Sequence, residues 1–368
     1  MRLGILGAAR NVPFTIIQPV KDNPDLARKL KVVGLASRDL TEADAFARSW
    51  GIPKAYASFD EMLADPTVGA VYNVLPVDVR CEWTVKALMA GKHVLSETPI
   101  CRNAYEAIAV QRAAEDGQRV LLEGSHPTCH PVTRRCRDLI IGGAVGRLEG
   151  IELDLPVGHS LQGKIVCSKS GSLMALGCHG IAIIRSLGGE EPQVVSAKPR
   201  ISAEDPDIDT EMRADMVLPS GATALMKCSI VPDTSKHPTT FTINGSSGVI
   251  HVKEWFTGEG KGANEVALEQ FLDAGERQIQ PVDNPYTKTQ NTFYFQLQRF
   301  VDEVSEQEKN SALGVGMPWD YSIGIGSPTD AVRNMAVIDA VYRAAGMSPR
   351  KTVAAPPSPY NGLGFSKL

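Results

Sequence analysis

Residues 1–123 alternate short apolar, β-prone runs with segments of helical pattern, and no other feature constrains the fold of this chain as tightly. The pattern predicts strands at Leu3–Leu6, Lys31–Ala36, Ala70–Leu75, Val94–Ser96 and Val120–Glu123. It predicts helices from Pro13, over Thr41–Trp50, and through Trp83–Ala90 to the helix-stopping Gly91. A further helix is expected from Asn103 to Gly117, with Glu106 completing a capping box. Apolar strands separated by helices are covered on both faces, which specifies a parallel, doubly wound Rossmann sheet. Sheets of this kind take ligands at the carboxyl ends of their strands. The stretch Gly91–Cys101 therefore becomes central, because its short strand opens into Glu97-Thr98-Pro99 at such an end.

The texture changes after Gly124. A helix over Val132–Ile141 is followed by a strand over Leu148–Leu155, a loop carrying His159, Lys164 and Lys169, and a helix near Ser172–Leu187. Strand-like runs then follow at Gln193–Arg200, Glu211–Leu218, Ala222–Ile230, Thr239–Asn244 and Val249–Trp255, with Gly245-Ser246-Ser247-Gly248 as a hairpin turn. Helices at Thr292–Val304 and Thr329–Ala345 close the series. This second half reads as an α+β domain with a largely antiparallel open sheet. At 368 residues the chain exceeds what one core accommodates. The expected division is a dinucleotide-binding Rossmann domain at 1–123, a substrate and oligomerisation domain at 124–350, and a tail at 351–368.

The net charge of −4 and the lack of a Lys/Arg block argue against nucleic acid or an anionic membrane as partner. No apolar run approaches the roughly 20 residues needed to cross a bilayer. Seven cysteines without CxxC spacing fit reduced thiols in an intracellular protein. A strand that begins at Arg2 leaves no room for a signal peptide. The final Ser366-Lys367-Leu368 matches the peroxisomal address, so the expected location is peroxisomal in a eukaryote and cytoplasmic otherwise.

The first strand ends in a degenerate form of the dinucleotide fingerprint. Gly7 is kept, while Ala9 and Val12 stand in the other two glycine places. The second strand ends in Ser37-Arg38-Asp39; a serine–arginine pair suits a 2′-phosphate, and Asp39 leaves the unphosphorylated ribose open. NADP(H) is thus favoured over NAD(H). His126 and His130 have metal-like spacing, but Pro127 and Pro131 break the helix that would align them, and no metal is expected. His179, within Gly171–Gly180, is either a satisfied core histidine or an acid–base group whose imidazole titrates near working pH.

Gly7-Ala8-Ala9-Arg10, the run Val71–Pro76, the segment Glu82–Leu95 and Glu97-Thr98-Pro99 together resemble the glucose–fructose oxidoreductase / inositol dehydrogenase (Gfo/Idh/MocA) family. The nearest branch is that of the dihydrodiol and xylose dehydrogenases. The likeness continues through Glu123, His130-Pro131, Gly143–Gly146, Gly171–His179 and Asn334–Arg343, and so covers most of the chain. It implies a nicotinamide cofactor, a small-molecule substrate, and a homodimer or homotetramer built through the C-terminal sheet. The family's Glu-Lys-Pro lysine is Thr98 here, its Pro-Asn-x-x-His is Pro76-Val77-Asp78-Val79-Arg80, its helix aspartate is Ala175, and its Arg-Tyr-His-Pro arginine is Thr128.

By this resemblance the cofactor-binding residues are Gly7, Ala9, Arg10, Asn11, Val12, Ser37, Arg38, Leu75, Pro76, Glu97 and Thr98. Arg80, Lys164 and His179 are expected at the substrate, with His179, Glu97 and Thr98 as the catalytic groups. The implied function is an NADP(H)-dependent oxidoreductase of a cyclic, sugar-like or secondary-metabolite substrate. Loss of the lysine points to altered chemistry, such as reduction of C=C, C=N or C=O. A non-redox epimerase, lyase or cyclase using His179 as acid–base is the alternative.

Overall fold

The structure is a computed structural model that describes residues 1–157, 170–231, 238–256, 264–272, 275–282, 290–312, 326–353 and 356–360. Its first sheet contains β1 (Arg2–Leu6), β2 (Lys31–Ala36), β3 (Ala55–Tyr56), β4 (Ala70–Asn73), β5 (His93–Ser96) and β6 (Leu121–Glu123). All neighbours run parallel, in the order β3-β2-β1-β4-β5-β6. β4 and β5 are buried at every residue, as strands covered on both faces must be. The order reverses between β1 and β4, so the carboxyl ends of these two strands flank the switch point at which such sheets bind ligands. The two-residue β3 and the short helices Pro24–Lys29 and Phe59–Ala64 carry too little pattern to be foreseen. In the helix Ala104–Gly117, Asn103 accepts from the Glu106 N–H at 3.0 Å, and Glu106 returns a bond to the Arg102 N–H at 2.9 Å.

The second sheet contains β7 (Leu148–Pro156), β8 (Gln193–Ile201), β9 (Asp209–Val217), β10 (Thr223–Ser229), β11 (Thr240–Gly245), β12 (Gly248–Lys253), β13 (Glu265–Phe271) and β14 (Arg277–Pro281). The order is β14-β13-β12-β11-β7-β10-β9-β8, antiparallel except where β7 meets β10. Burial alternates along β9, β10 and β11, so one face of the sheet lies in the core. β13 and β14 lie outside the strands read from sequence. β14 is exposed at every residue and shows no alternation to read. On the buried face lies the helix Cys178–Gly188, buried from Cys178 to Leu187. Its approach to the sheet needs Gly180, where a Cβ would stand 2.8 Å from Leu155 Cδ1 and 2.9 Å from Met226 Sδ.

Two compact units divide the chain, and neither is continuous in sequence. One joins Met1–Gly124 to the described residues of Gln296–Met335 and Arg350–Leu368; the other joins Ser125–Phe295 to Ala336–Pro349. The boundaries fall inside the helices Thr292–Ala312 and Pro328–Ala344, which the sequence pattern had placed whole in the second domain. The cause is a set of long-range bonds within the first unit. Gln307 donates to the Gln118 carbonyl at 2.5 Å, Lys29 pairs with Asp302 at 3.2 Å, and the Glu123 N–H donates to the Gly326 carbonyl at 2.8 Å. Pairings so distant in sequence leave no local pattern.

One buried carboxylate organises the helix that carries His179. Asp209, at the start of β9, accepts from the Ser172 hydroxyl and the Leu173 N–H, both at 2.7 Å, and from the Tyr342 hydroxyl at 3.1 Å. It thereby satisfies an N–H at the start of a continuous helical run from Leu173 to Gly188, whose first turn is π-wound. Charge-assisted bonds contribute about 1.5–3 kcal/mol each, and orphaning buried donors adds to their loss. Asp209→Ala is expected to lower the unfolding free energy by about 3 kcal/mol or more, read as a shift of the urea midpoint; an unchanged midpoint refutes the assignment.

Candidate active site

The loop after β1 turns at Gly7, whose N–H donates to the Ala36 carbonyl at 2.9 Å and whose φ is +111°. A Cβ there would stand 3.2 Å from both Val74 Cγ1 and Leu75 Cδ2, in a backbone region that side chains rarely adopt, so the turn requires glycine. Beyond it, the Val12 N–H donates to the Ala9 carbonyl at 3.1 Å, and the Phe14 and Thr15 N–H groups donate to Asn11 at 2.9 Å. Ala9 and Asn11 are half-buried and Arg10 is exposed. Val12 is wholly buried, its side chain in the core as the helix begins, so its expected place among the cofactor contacts is open only to its backbone.

At the end of β2 three polar side chains divide the work. Asp39 caps the helix Leu40–Trp50, its Oδ1 accepting from the Thr41 N–H at 2.8 Å. Ser37 is buried and its hydroxyl donates to Glu42 Oε2. Arg38 is exposed and forms no ion pair among the described residues.

The ends of β4 and β5 are tied together by Arg80. Its Nε donates to the Leu75 carbonyl at 3.0 Å, and one terminal nitrogen donates to the carbonyls of Glu97 at 3.3 Å and Pro99 at 2.5 Å. Arg80 was expected at the substrate. The structure instead buries it with its guanidinium on these three backbone acceptors, beside the cis Thr98–Pro99 bond. Asn73 supports the same corner, donating to the Arg80 carbonyl at 3.1 Å and to Thr84 Oγ1 at 2.9 Å, and accepting from the Leu75 N–H at 3.2 Å. The Glu123 carboxylate accepts from the Ile100 N–H at 2.8 Å.

Within this frame the Glu97 carboxyl group is enclosed by donors. Tyr72 donates to Oε1, Asn11 Nδ2 reaches the same oxygen at 3.4 Å, and the Thr98 N–H donates to Oε2 at 3.3 Å. Burial raises its pKa, against the opposing pull of the Tyr72 hydroxyl, Arg80 and the Thr98 N–H. Burial, and then Glu97, push the Tyr72 phenol well above its ordinary value, so it stays a donor. The Thr15 hydroxyl lies 3.2 Å from the Tyr72 oxygen. A phenol has one proton; with that proton on Glu97, Thr15 is the donor to Tyr72. Leu75 is buried, Pro76 is exposed and Thr98 is half-buried.

In the second unit, His179 lies inside an aromatic cluster. Its ring centroid is 5.0 Å from those of His126 and Phe256, and His126 stacks on Phe293 at 4.0 Å. His126 Nδ1 is 2.7 Å from Thr292 Oγ1, which donates to the Phe256 carbonyl at 3.3 Å. Burial lowers the His179 pKa to about 3. Burial lowers that of His126 well below the usual range, helped by His179 and His130. Sequence reasoning expected an imidazole titrating near working pH; in this surrounding the ring is neutral instead, because apolar walls disfavour its cation. Lys164 lies outside the described residues.

Sequence reasoning passed over Tyr72, Asn73, Thr15 and Glu42 in the first unit, and Phe256, Phe293, Thr292 and Asp209 in the second. Asn73 was visible as an amide inside a run otherwise apolar; the others resemble ordinary core or surface residues until folded. His126 was weighed only as a metal ligand, whereas its ring forms one wall of the His179 cluster.

Two family models match the chain: "Oxidoreductase family, NAD-binding Rossmann fold" over residues 1–125, and "GFO/IDH/MocA C-terminal domain" over residues 133–251. A D-xylose 1-dehydrogenase (NADP(+)) of Haloferax volcanii is 32% identical over 238 residues, 64% of this chain and 71% of that protein. A trans-1,2-dihydrobenzene-1,2-diol dehydrogenase of Oryctolagus cuniculus is 30% identical over 227 residues, 61% of this chain and 68% of that one. Among solved structures, a 3-ketoreductase from Actinomadura kijaniata in complex with NADP and TDP-benzene is similar with a TM-score of 0.75. It is 22% identical and covers 94% of this chain and 97% of its own, a likeness of fold. No helix among the described residues is long and apolar enough to cross a membrane.

The buried histidines set a pH limit on stability. His93 and His130 are lowered to about 4 and His179 to about 3, in each case chiefly by burial, against 6.5 in the unfolded chain. Below 6.5 the unfolded state takes up protons that the folded state refuses, so stability falls as pH drops towards the folded values. Each group contributes up to about 3 kcal/mol across that window. The urea midpoint is expected to be level above pH 7 and to fall steeply between pH 6.5 and 4; a level midpoint down to pH 4.5 contradicts the buried neutral state.

Proposed function

The chain belongs to the Gfo/Idh/MocA oxidoreductase family, and from that premise we propose that it is an NADP(H)-dependent oxidoreductase of a small cyclic or sugar-like substrate. The observation that carries this reading is the strand-end cradle of the first sheet. Gly7 lets the backbone turn closely against Val74 and Leu75 at the switch point, while Arg38 stands exposed at the end of β2 with the Asp39 carboxylate committed to its own helix. These residues fit a dinucleotide: an unobstructed glycine turn for the pyrophosphate and a guanidinium for a 2′-phosphate. The NADP named for the Haloferax volcanii relative supports the same choice.

When bound, the nicotinamide supplies or accepts a hydride. The chain must then orient the substrate and manage one proton. Thr98, in place of the family's lysine, offers one hydroxyl hydrogen bond and no cation. Glu97 is held by Tyr72 with its pKa raised, which lets its carboxyl group exchange a proton nearer neutrality than an ordinary glutamate. His179 is neutral in its cluster and its burial resists protonation, so its part is that of a hydrogen-bonding group towards a substrate oxygen. Glu97 and Thr98 suit reduction of a C=O, C=N or conjugated C=C bond, in which polarisation of the acceptor replaces a lysine's proton relay.

Arg38→Ala is expected to weaken NADPH binding about 10- to 100-fold and to leave NADH within a factor of about two, corresponding to a charge-assisted phosphate contact of about 1.5–3 kcal/mol. Fluorescence titration of both nucleotides checks this, and equal affinities in the wild type refute it. His179→Ala is expected to lower kcat about 10²–10⁴-fold with NADPH affinity unchanged. The wild-type kcat/KM profile should show no limb near pH 6.5 from this residue. Full activity in the variant reassigns His179 to the core.

A further inference from the structure

The end of β2 holds a contradiction that the cofactor assignment leaves open. Ser37 and Arg38 suit a 2′-phosphate, yet the Ser37 proton is given to the carboxylate of Glu42, in the first turn of the following helix. A hydroxyl has one proton to donate. While it lies on Glu42, Ser37 presents only lone pairs to an incoming phosphate, and the carboxylate adds like-charge repulsion. A ribose 2′-hydroxyl meets the opposite situation, since it can donate to the carboxylate and accept from Ser37. Asp39 has its Oδ1 engaged by the Thr41 N–H, and Glu42 is the carboxylate that directly meets Ser37. Glu42 is exposed, so its side chain can turn towards solvent, whereas Ser37 is only 6% exposed and stays in place.

We infer that Glu42 is the residue that sets the balance between the two nicotinamide dinucleotides: facing Ser37, its carboxylate receives an unmodified ribose, and turned outward it yields the place to a 2′-phosphate beside Arg38. The inference rests on the cofactor reading above and refines it. Preference for NADP(H) is then a net result, in which the attraction of Arg38 exceeds a standing opposition from Glu42. The opposition is electrostatic and short in range, so removing the charge while keeping the side chain's shape releases it.

The test compares dissociation constants of NADPH and NADH for the wild type, Glu42→Gln and Glu42→Ala, by protein fluorescence at fixed ionic strength. Far-UV circular dichroism and urea midpoints serve as folding controls. In both variants NADPH is expected to bind about three- to tenfold more tightly, the scale of one unit charge a few ångströms away in a solvated site. NADH is expected to bind about threefold more weakly, having lost a charged acceptor. Parallel shifts, or none, in well-folded variants overturn the inference while leaving the cofactor assignment intact. Absence of binding by either nucleotide to the wild type overturns the cofactor assignment, and the inference with it.

Discussion

A single buried guanidinium fixes the corner on which the first sheet's ligand end depends. Arg80 reaches across from the helix Val77–Met89 to the carbonyls of Leu75, Glu97 and Pro99, joining the segment after β4 to the segment after β5. An arginine is suited to this because its planar fork serves several acceptors at once, while burial of a cation is tolerable only when its donors are met. Asn73 completes the frame from below by holding the Arg80 carbonyl, and Glu123 holds the Ile100 N–H from the next strand. Two strands, β4 and β6, and the helix between β4 and β5 thus contribute one polar residue each to a single turn. The direction in which Glu97 and Thr98 leave the backbone follows from that frame.

The second unit uses polar groups differently. Asp209 is a buried anion met by three donors, and it anchors the start of the His179 helix. Around His179 itself the surroundings are rings, and the imidazoles of His126 and His179 are kept neutral by burial. A neutral imidazole can accept a proton or share a hydrogen bond without first losing a charge, but as an acid it has no stored proton to give at neutral pH. Because burial also disfavours its cation, chemistry that leans on His179 is chemistry of a hydrogen-bonding group.

Period-two and apolar-run patterns made five of the six strands of the first sheet legible, because burial on both faces leaves a composition signal. β3 is two residues long and β14 has no buried face, so neither has a pattern to betray it. The glycine turn was legible for a different reason, since Gly7 meets a steric demand that its neighbours cannot. The backbone bonds of Arg80 were not legible, because position in a motif says nothing about where a long side chain folds back to. A place in a fingerprint likewise does not reveal that the Val12 side chain points into the core. The late helices were located correctly, but their bonds to Gln118 and Lys29 connect residues nearly 200 or more positions apart, and no local pattern encodes such partners.

Glu97 joins what the two sides of the switch point contribute. Its partners come from β4 through Tyr72, from the loop after β1 through Asn11, and from its own turn through Thr98. These bonds are unequal. Tyr72 is wholly buried, backed by Thr15 and unable to ionise under working conditions, so its hold on the carboxylate persists. The Asn11 contact, at 3.4 Å, lies at the limit of a useful hydrogen bond. The loop after β1 can therefore shift and give up Asn11 with little loss, while Glu97 keeps its orientation from the phenol beneath it and its raised pKa from burial. A strong bond below and a weak one beside the loop let the glycine turn move independently of the Glu97 carboxyl group.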